Sequence, residues 1–410
     1  MSQTFTMRID SVAAGGDGIG RHEGMAVFVP RTAPGDLARV EGTVQGRLMR
    51  GRLLEIMEPS ANRVQPLCHH YVQDRCGGCQ LQHLAYDGQL AAKAGIIRDS
   101  LQRIGRVQLD APAVQPSPSA WRYRRKLTLA MRRAGNRWYA GLRRFDDPAD
   151  VFELRDCPIT AESVVGHWRA VMQHQHLLPQ DAPSLRGAVR EMSQGFAFTI
   201  EGGTQWDGAH LFAEIPAMAE LWWRPRDGAL RLLHSRVAEG AGAGASFVQV
   251  NAAMAMRLHD FVAASAALER SESAIDAYAG TGEIAMRLAQ SGARVTAIEV
   301  DRTASRESAS RLPMGSSAVA ARVEDVLPRA LPADVVVVNP PRAGLDARVP
   351  RALNAAERRP RALIYVSCDP GTLARDVRRL DRYVLRAVRG FDMFPQTAHV
   401  ETVCELVPAA

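Results

Sequence analysis

Short apolar stretches separated by Gly and Pro fill the first 58 residues of the chain. Segments such as MAVFV and ARVEGTV alternate at close spacing with GGDGIG and RTAPGD, which predicts short strands joined by tight turns. GGDGIG lacks the G-x-G-x-x-G spacing and precedes strand-like sequence, so it does not indicate a dinucleotide-binding loop. Residues 1–58 are therefore expected to form a small all-β barrel.

The middle of the chain combines a cysteine-rich segment with a weaker periodic signal. Apolar positions of helical period predict a helix from Tyr86 to about Gly105, and APAVQPSPSA predicts a linker after it. WRYRRKLTLAMRR is then expected to form a basic strand, and residues 120 to about 235 predict mixed, mostly β structure. We assign a central domain to residues 59–235.

Residues 236–410 change to an alternation of helix and buried strand. A helix predicted from Asn251 to about Glu269 leads into SAIDAYAGTGEIAMRLAQSGARVTAIEVD, which predicts strand, glycine loop, helix and strand. DVVVVNPP and ALIYVSC contain continuous apolar runs, which are typical of parallel strands buried on both faces. This region predicts a doubly wound, Rossmann-like domain, so the whole chain is expected to be a multidomain α/β protein.

Composition and charge limit the partners and the compartment. The 410 residues, 46% of them apolar, can bury several cores, and the net charge of +7 leaves a polyanion partner open. Only Lys93 and Lys126 are lysines, so 51 − 2 = 49 basic residues are Arg, a bias that suits phosphate contacts but that a GC-rich genome also produces. No apolar run approaches the roughly 20 residues of a membrane span, and no signal-peptide core is found. We therefore expect a cytoplasmic, monomeric protein without a membrane partner.

A glycine loop forms a candidate cofactor site. The stretch Asp276-Ala-Tyr-Ala-Gly280-Thr-Gly282 closes a predicted strand, and Glu299 ends the next strand 19 residues after Gly280. Glycines let the backbone approach a ligand, and an acid at this distance can accept hydrogen bonds from ribose hydroxyls. The pattern resembles the S-adenosylmethionine site of class I methyltransferases more than an NAD fingerprint. Asp325, in VEDVL, stands where such enzymes usually contact adenine.

A second polar motif, Asn339-Pro-Pro-Arg342, follows a later strand. Open α/β sheets bind their ligands at this carboxyl edge, where the Asn339 amide can meet a polar ring edge. NPPR taken alone resembles the N-P-P-aromatic motif of amino-group methyltransferases. Arg342 in place of the aromatic residue counts against that function.

A cysteine and a glutamate are candidate reactive groups in the same domain. Cys368 follows the apolar run ALIYV, so it is expected at a strand tip, where a helix beginning after Pro370 can favour the reactive thiolate. Glu401, beside His399 in an apolar context, is a candidate general base. These groups suit methylation of uracil C5, a poor nucleophile that thiolate addition to C6 activates. A base must then remove the C5 proton.

Four further cysteines predict a metal site. Cys68, Cys76 and Cys79, with the distant Cys157, supply four thiolates, enough for tetrahedral zinc or for a four-iron four-sulfur (4Fe-4S) cluster. Their spacing does not distinguish these two occupants, and zinc could also use nearby histidines such as His69, His70 and His83. Cys404 is expected to pack in a core.

The whole chain resembles the RNA uracil-C5 methyltransferases that make 5-methyluridine, in particular their iron–sulfur branch. The resemblance rests on the N-terminal barrel pattern, CGGCQLQH, SFVQVN, the glycine loop, NPPR, SCDP and DMFPQTAHVE. It implies an OB-like TRAM barrel that binds RNA, a 4Fe-4S cluster in preference to zinc, and a class I methyltransferase domain at the C-terminus.

The resemblance also implies roles for individual residues. Cys368 would be the nucleophile and Glu401 the proton acceptor, and Arg124 or Arg125 would approach the target nucleotide. The residues implied to hold S-adenosylmethionine lie on the glycine loop and nearby, and they are Gln249, Tyr278, Gly280, Gly282, Glu299, Asp325 and Asn339. Asn339 would lie between the donor and the target base.

Three positions depart from the family pattern. Asn339 stands where the family usually has Asp, Ala279 where it commonly has Cys, and Glu283 where it often has Asn. Asparagine keeps an acceptor carbonyl but loses the charge, so we expect hydrogen bonding to a uracil edge, and uracil methylation, to be retained. Methylation of an exocyclic amine, or a catalytically decayed RNA-binding protein, are the alternatives.

RNA is the expected partner. The basic, aromatic-interleaved stretches WRYRRK and RRAGNRWYAGLRRF are candidates for contacting the phosphate backbone, with a solvated strand face as the alternative. Pairing of a TRAM-like barrel with a cluster resembles the large-subunit rRNA enzymes, so we expect 23S rRNA rather than tRNA. A uracil in folded RNA must turn outward to reach Cys368, which favours a loop or bulge target.

Overall fold

The computed structural model describes residues 2–237 and 249–409, so the first three residues of SFVQVN (246–248) lie outside the described residues. The N-terminal strands are β1 (Ser2–Val12), β2 (Gly18–His22), β3 (Met25–Val29), β4 (Leu37–Gln45) and β5 (Leu48–Glu58). They close into a barrel in the order β1-β2-β3-β5-β4, as the sequence pattern predicts. Apolar side chains such as Val27 and Val40 fill its interior. A Cβ on Gly20 would lie 2.2 Å from the carbonyl oxygen of Arg8, so β1 and β2 approach closely only because this residue is glycine.

Two helices and a short strand follow the barrel. They are α1 (His69–Val72), α2 (Tyr86–Arg103) and β6 (Val114–Gln115). The predicted helix is present and ends at Arg103. The fully buried side chains of Ile97 and Leu101 attach α2 to the core of the C-terminal sheet described below.

The central region is mixed and mostly β, as predicted. Its elements are β7 (Lys126–Ala134), β8 (Arg137–Arg143), β9 (Val151–Glu153), α3 (Glu162–Gln173), a 3₁₀ turn (Gln175–Leu177), β10 (Ser184–Glu191), β11 (Phe196–Glu201), α4 (Ala209–Glu214), β12 (Met218–Arg224) and β13 (Arg231–Ser235). The strands form one sheet in the order β13-β12-β11-β10-β7-β8-β9. The prediction of a strand throughout WRYRRKLTLAMRR is wrong for its first five residues, because Arg122 adopts a left-handed φ of 52° and Arg124 donates its backbone N–H to Ile159 outside the sheet.

The C-terminal region alternates helices and strands. Its elements are α5 (Ala252–Ala266), β14 (Ser273–Ala277), α6 (Glu283–Ala289), β15 (Arg294–Glu299), α7 (Arg302–Arg311), β16 (Ser317–Ala320), α8 (Val323–Ala330), β17 (Val335–Val338), α9 (Arg348–Ala355), β18 (Ala362–Ser367), α10 (Pro370–Arg379), β19 (Tyr383–Phe391) and β20 (Glu401–Pro408). The side chain of Asn251 caps α5 by accepting a hydrogen bond from the Met254 N–H at 3.2 Å.

The C-terminal sheet has the order β16-β15-β14-β17-β18-β20-β19-β6. Its first five strands are parallel, and β20 and β19 then run antiparallel to their neighbours β18 and β20. The stretch predicted only as a linker thus supplies β6, whose backbone pairs with the otherwise open edge of β19. The strand order reverses between β14 and β17, which is where doubly wound folds bind their ligands. None of the described helices combines the length and apolar character that a membrane span requires.

Candidate active site

The glycine loop after β14 is held by the acid that ends β15. Glu299 accepts a hydrogen bond from the Gly280 N–H at 2.9 Å through one carboxylate oxygen and from the Asp301 N–H at 2.8 Å through the other. Tyr278, Gly280 and Gly282 all have positive φ angles, and a Cβ on Gly282 would lie 2.4 Å from the Ser308 hydroxyl. The loop is therefore tightly turned, and each Glu299 oxygen keeps a free lone pair for a ligand.

Asp276 is the buried acid at the end of β14. One of its oxygens accepts a hydrogen bond from the Ala285 N–H at 2.9 Å, whereas the other has no partner among the described residues. Burial raises the pKa of Asp276 to about 7. A buried carboxyl oxygen without a partner marks this end of the strand as a polar site.

The other predicted donor contacts surround the same edge. Asn339 follows β17 and donates its backbone N–H to Ala277 at 3.1 Å, so it lies beside the start of the glycine loop. Asp325 lies in the first turn of α8 and pairs with Arg348 at 2.7 Å. Gln249 is partly exposed and lies two residues before Asn251, the capping residue of α5. The glycine loop, Glu299 and Asn339 thus lie at the carboxyl edge of β14, β15 and β17, and Asp325 lies on α8, which follows β16.

Cys368 and Glu401 lie at the ends of two neighbouring strands. Cys368 directly follows β18, and Glu401 is the first residue of β20, whose Thr402 pairs with Ser367. Burial raises the pKa of the Cys368 thiol, and the negative charge of Glu401 raises it further. Burial also raises the pKa of Glu401 to about 7. The carboxyl group therefore titrates near neutral pH, where a general base is most effective.

Arg342 is a further candidate site residue, to which the sequence pattern assigned no role. Its exposed guanidinium favours the ionised forms of both reactive groups, since it lowers the pKa of the Cys368 thiol and of the Glu401 carboxyl group against the effect of burial. The pKa of His399 is lowered chiefly by burial, and the Arg342 charge lowers it further. The available sequence signal was a cation directly after two prolines at the carboxyl edge of the sheet.

The basic segment before β7 borders this site. Tyr123 donates its hydroxyl hydrogen to the Pro395 carbonyl at 3.0 Å, close in sequence to Glu401. Arg125 donates its backbone N–H to Val250 at 3.1 Å, next to Gln249, and its side chain pairs with Glu191 at 3.0 Å. Arg124 donates its side-chain Nε–H to the Lys126 carbonyl at 3.0 Å. The segment therefore connects the central sheet to both halves of the candidate active site.

The four clustered cysteines meet in one place although Cys157 is distant in sequence. Cys68, Cys76, Cys79 and Cys157 are all buried free thiols that line a cavity of about 70 Å³. In residues 2–237 and 249–409, no three His, Cys, Asp or Glu side chains are placed to hold one metal ion. His70 instead pairs with Asp74 at 2.7 Å, and His83 contacts the Tyr71 hydroxyl at 2.7 Å. Cys404 is fully buried in the C-terminal core, as predicted.

A broad groove separates the barrel from the central sheet. Its volume is about 1100 Å³, and the glycine-rich segment from Gly77 to Gln80 is part of its lining. The arginines that line it are Arg31, Arg50, Arg132, Arg143, Arg144 and Arg186, and the acids are Asp17 and Glu201. Arginines therefore outnumber acidic residues in the lining of the groove, and three of these arginines belong to RRAGNRWYAGLRRF.

The raised pKa of Glu401 predicts a pH-dependent stability. Its pKa is about 7 in the folded protein against an ordinary value of 4.5, so the folded state loses stability as the pH rises from the lower to the higher value. The loss is at most about 3 kcal/mol. Glu401→Gln is thus expected to raise the free energy of unfolding relative to wild type at about pH 8 and to leave it unchanged at about pH 4. Denaturant unfolding across this range measures both proteins, and parallel pH dependences would contradict the prediction.

The C-terminal part of the chain matches a known family. Residues 313–407 match the model described as tRNA (Uracil-5-)-methyltransferase. The matched segment contains Asn339, Arg342, Cys368 and Glu401, and therefore both candidate reactive groups.

Two similar proteins extend over almost the whole chain. An uncharacterized RNA methyltransferase of Thermosynechococcus vestitus is 31% identical over 450 residues, covering 98% of this chain and 98% of its own. An uncharacterized RNA methyltransferase of Nitratidesulfovibrio vulgaris is 33% identical over 457 residues, covering 98% of this chain and 95% of its own. These similarities span the barrel, the cysteine segment and the C-terminal sheet.

One solved structure shares the overall fold. The crystal structure of Pyrococcus abyssi tRNA (uracil-54, C5)-methyltransferase in complex with S-adenosyl-L-homocysteine superposes with a TM-score of 0.71 at 24% identity. The superposition covers 98% of this chain and 100% of that chain. The arrangement of barrel, central sheet and doubly wound sheet is therefore a known architecture.

Proposed function

This chain belongs to the RNA (uracil-5-)-methyltransferase family, and on that premise we propose that it methylates C5 of one uridine in a structured RNA through a covalent intermediate on Cys368. The observation that carries the proposal is the placement of Cys368 and Glu401 at adjacent strand ends beside Arg342. We propose 23S rRNA as the target, on the combination of an N-terminal barrel with a cysteine cluster.

The proposed reaction begins when the Cys368 thiolate adds to C6 of uracil. The new bond from sulfur to C6 moves the C5–C6 π electrons toward the C4 carbonyl, so C5 becomes an enolate-like nucleophile. When bound, S-adenosylmethionine supplies the methyl group that C5 accepts. Glu401 then takes the proton from C5, the C5–C6 double bond forms again, and the bond between C6 and sulfur breaks.

Arg342 supports this sequence electrostatically. Its charge favours the thiolate of Cys368 and the carboxylate of Glu401, which are the forms that the two proton-dependent steps need. A fixed positive charge at the site also stabilises negative charge that develops on the uracil ring after sulfur addition. Burial acts in the opposite direction, since it raises the pKa of both groups.

The carboxyl edge of β14, β15 and β17 provides the surface that we propose for S-adenosylmethionine. Glu299 fixes the glycine loop and keeps lone pairs for ribose hydroxyls, while Asp325 would contact adenine. The remaining contacts would come from Gln249, Tyr278, Gly280, Gly282 and Asn339. The S-adenosyl-L-homocysteine complex of the Pyrococcus abyssi enzyme, which shares this fold, supports the assignment.

The arginine-lined groove is our candidate surface for the RNA backbone. Guanidinium groups form bidentate contacts with phosphate, and neutralising several phosphates supplies most of the sequence-independent affinity. Arg124 or Arg125 would then reach the target nucleotide, because their segment connects the groove-lining sheet with the active site. A uridine turned out of its helix could approach Cys368 from this side.

The function can be tested by incubating the protein anaerobically with tritiated S-adenosylmethionine and total RNA from a strain that lacks the gene. We expect tritium in 5-methyluridine at one position of 23S rRNA, and a covalent adduct with RNA that contains 5-fluorouridine. If the label appears instead at one tRNA position, the proposed chemistry stands and the substrate is a tRNA rather than 23S rRNA. Label on an exocyclic amine would overturn the proposal. The combined absence of label, of adduct and of calorimetric donor binding would also overturn it and would indicate a decayed enzyme.

We also propose that Cys68, Cys76, Cys79 and Cys157 hold a 4Fe-4S cluster. The proposal is supported by the four buried thiols, which line one cavity, and by the resemblance of CGGCQLQH to the iron–sulfur segment of the family. The cluster would tie the segment before α2 to the central sheet.

Cys79→Ser is expected to remove most of the iron from anaerobically purified protein and to lower its thermal midpoint, because binding energy at a structural site is folding energy. Iron and sulfide analysis and visible absorbance measure the first effect, and calorimetry measures the second. Cys404→Ala is the matched control, since this buried cysteine lies in the C-terminal core and should leave the iron content unchanged. Stoichiometric zinc in the wild-type protein would contradict the cluster assignment.

A further inference from the structure

We infer that helix α2 positions the catalytic base, with Gln89 and Lys93 acting as positioning residues for Glu401. We call residues 392–400, which connect β19 to β20, the base loop. The inference rests on the proposed function, because it concerns the step in which Glu401 removes the C5 proton. The supporting contacts join parts of the chain about 300 residues apart.

The Glu401 carboxylate is not fixed by hydrogen bonds of its own. Among the residues that the structure describes, no backbone or side-chain group donates a hydrogen bond to it, although the residue is 5% exposed. Its backbone is paired in the sheet, since Glu401 faces Phe391 across β19 and β20. The direction of the carboxylate therefore depends on the base loop that leads into it.

A reciprocal pair of glutamines holds the middle of the base loop. Gln396 donates its backbone N–H to Gln89 Oε1 at 2.9 Å, and Gln89 donates its amide hydrogen to Gln396 Oε1 at 2.9 Å. Gln396 adopts a left-handed φ of 70°, which a non-glycine residue keeps only where its surroundings impose it. Its carbonyl accepts hydrogen bonds from the backbone N–H groups of Gln80 and Leu81 at 3.1 and 3.0 Å.

A buried ion pair holds the start of the base loop. Lys93 and Asp392 are both fully buried and pair with each other, and Lys93 also donates to the Phe394 carbonyl at 3.0 Å. The Tyr86 hydroxyl donates to the second oxygen of Asp392 at 2.8 Å. Burying two charges is costly unless both are paired in good geometry, so this arrangement strongly specifies where α2 and the loop meet.

The contacts of Gln89 and Lys93 with the base loop should affect proton removal more than the steps that form the methylated adduct. Gln89 and Lys93 form hydrogen bonds with the base loop and not with Cys368, which follows β18, so thiolate addition and methyl transfer should tolerate small movements of the base loop. Proton removal should be sensitive to such movements, because displacing a catalytic group by about 1 Å can reduce a rate a hundredfold. Loosening the loop is therefore expected to slow the release of the methylated adduct more than its formation.

Gln89→Leu tests this expectation because it deletes both hydrogen bonds to Gln396. With tritiated S-adenosylmethionine and total RNA from the strain that lacks the gene, turnover is expected to fall by roughly tenfold or more. Single-turnover adduct formation should stay within about threefold of wild type, so protein–RNA adduct carrying the tritiated methyl group should accumulate on denaturing gels. A merely structural defect would slow both steps together and leave no adduct.

Gln102→Leu is the matched control. Gln102 lies near the other end of α2 and donates its amide hydrogen to the Leu109 carbonyl at 2.9 Å, away from the base loop. This variant should turn over at the wild-type rate without accumulating adduct. If Gln89→Leu does not fold, as judged by its thermal midpoint, Tyr86→Phe takes its place, since it removes the α2 hydroxyl that donates to Asp392 in the base loop.

The outcomes separate the two proposals. If Glu401→Gln fails to accumulate methylated adduct, the role proposed for Glu401 is wrong and the inference falls with it. If Glu401→Gln accumulates adduct but folded Gln89→Leu, or Tyr86→Phe in its place, releases product like Gln102→Leu, the mechanism stands and α2 has no positioning role. Accumulation in the α2 variant and in Glu401→Gln supports both.

Discussion

Replacing Cys368 by alanine is expected to reduce methylation of total RNA by at least about a thousandfold, because the variant cannot add a nucleophile to C6 of uracil. Folding should be preserved, since Cys368 is only partly buried at the tip of β18. Tritium transfer from S-adenosylmethionine measures turnover, and a denaturing gel with 5-fluorouridine RNA measures the adduct. Both signals should disappear while calorimetric donor binding remains.

Cys404→Ala provides the control for removal of a thiol. Cys404 pairs with Tyr365 across β20 and β18 and is fully buried, so its replacement tests core packing close to the same strand. It should retain methylation and the adduct, with a modest loss of stability. Full activity of Cys368→Ala would instead point to methylation of an exocyclic amine, a reaction that requires no thiolate.

Glu401→Gln is expected to stop the reaction after methyl transfer. Glutamine has nearly the same shape but cannot take the C5 proton, so turnover should fall by at least about a hundredfold. Methylated protein–RNA adduct should then accumulate toward one per enzyme molecule, which the tritium retained on protein after denaturation measures. In the wild-type protein the release rate should rise with pH toward about 7, where Glu401 becomes ionised.

Glu405→Gln is the matched control for loss of a carboxylate on the same strand. Glu405 lies four residues after Glu401 on β20 and pairs with Arg386. Its replacement should change neither turnover nor adduct. If Glu401→Gln released 5-methyluridine at the wild-type rate, another group would have to remove the proton, and the role assigned here to Glu401 would be wrong.

The fold class was predictable because it depends on local patterns. Alternating short apolar stretches predicted the barrel, and continuous runs such as VVVV and ALIYV predicted buried parallel strands, which are β17 and β18. The predicted starts of α2 and α5 lie within one residue of those observed. Such patterns are reliable because each element must bury its own apolar face.

Two local predictions were wrong because distant partners decided the structure. The linker APAVQPSPSA contributes β6, since the edge of β19 offers backbone groups that pair with Val114 and Gln115. WRYRR is irregular because its backbone bonds to the segment after Cys157 and to Val250 instead of a neighbouring strand. Neither partner is visible from the local sequence.

The candidate site also combines features that the local sequence predicts with features that depend on distant partners. The sequence by itself determined the candidate reactive groups, Cys368 and Glu401, and the glycine loop, because their chemistry and the motifs around them are local properties. Only the tertiary structure placed Arg342 beside both candidate groups and joined the base loop to α2. The glutamine pair joins positions 307 residues apart, and a contact of that separation arises from packing between domains, which no periodicity along the chain encodes.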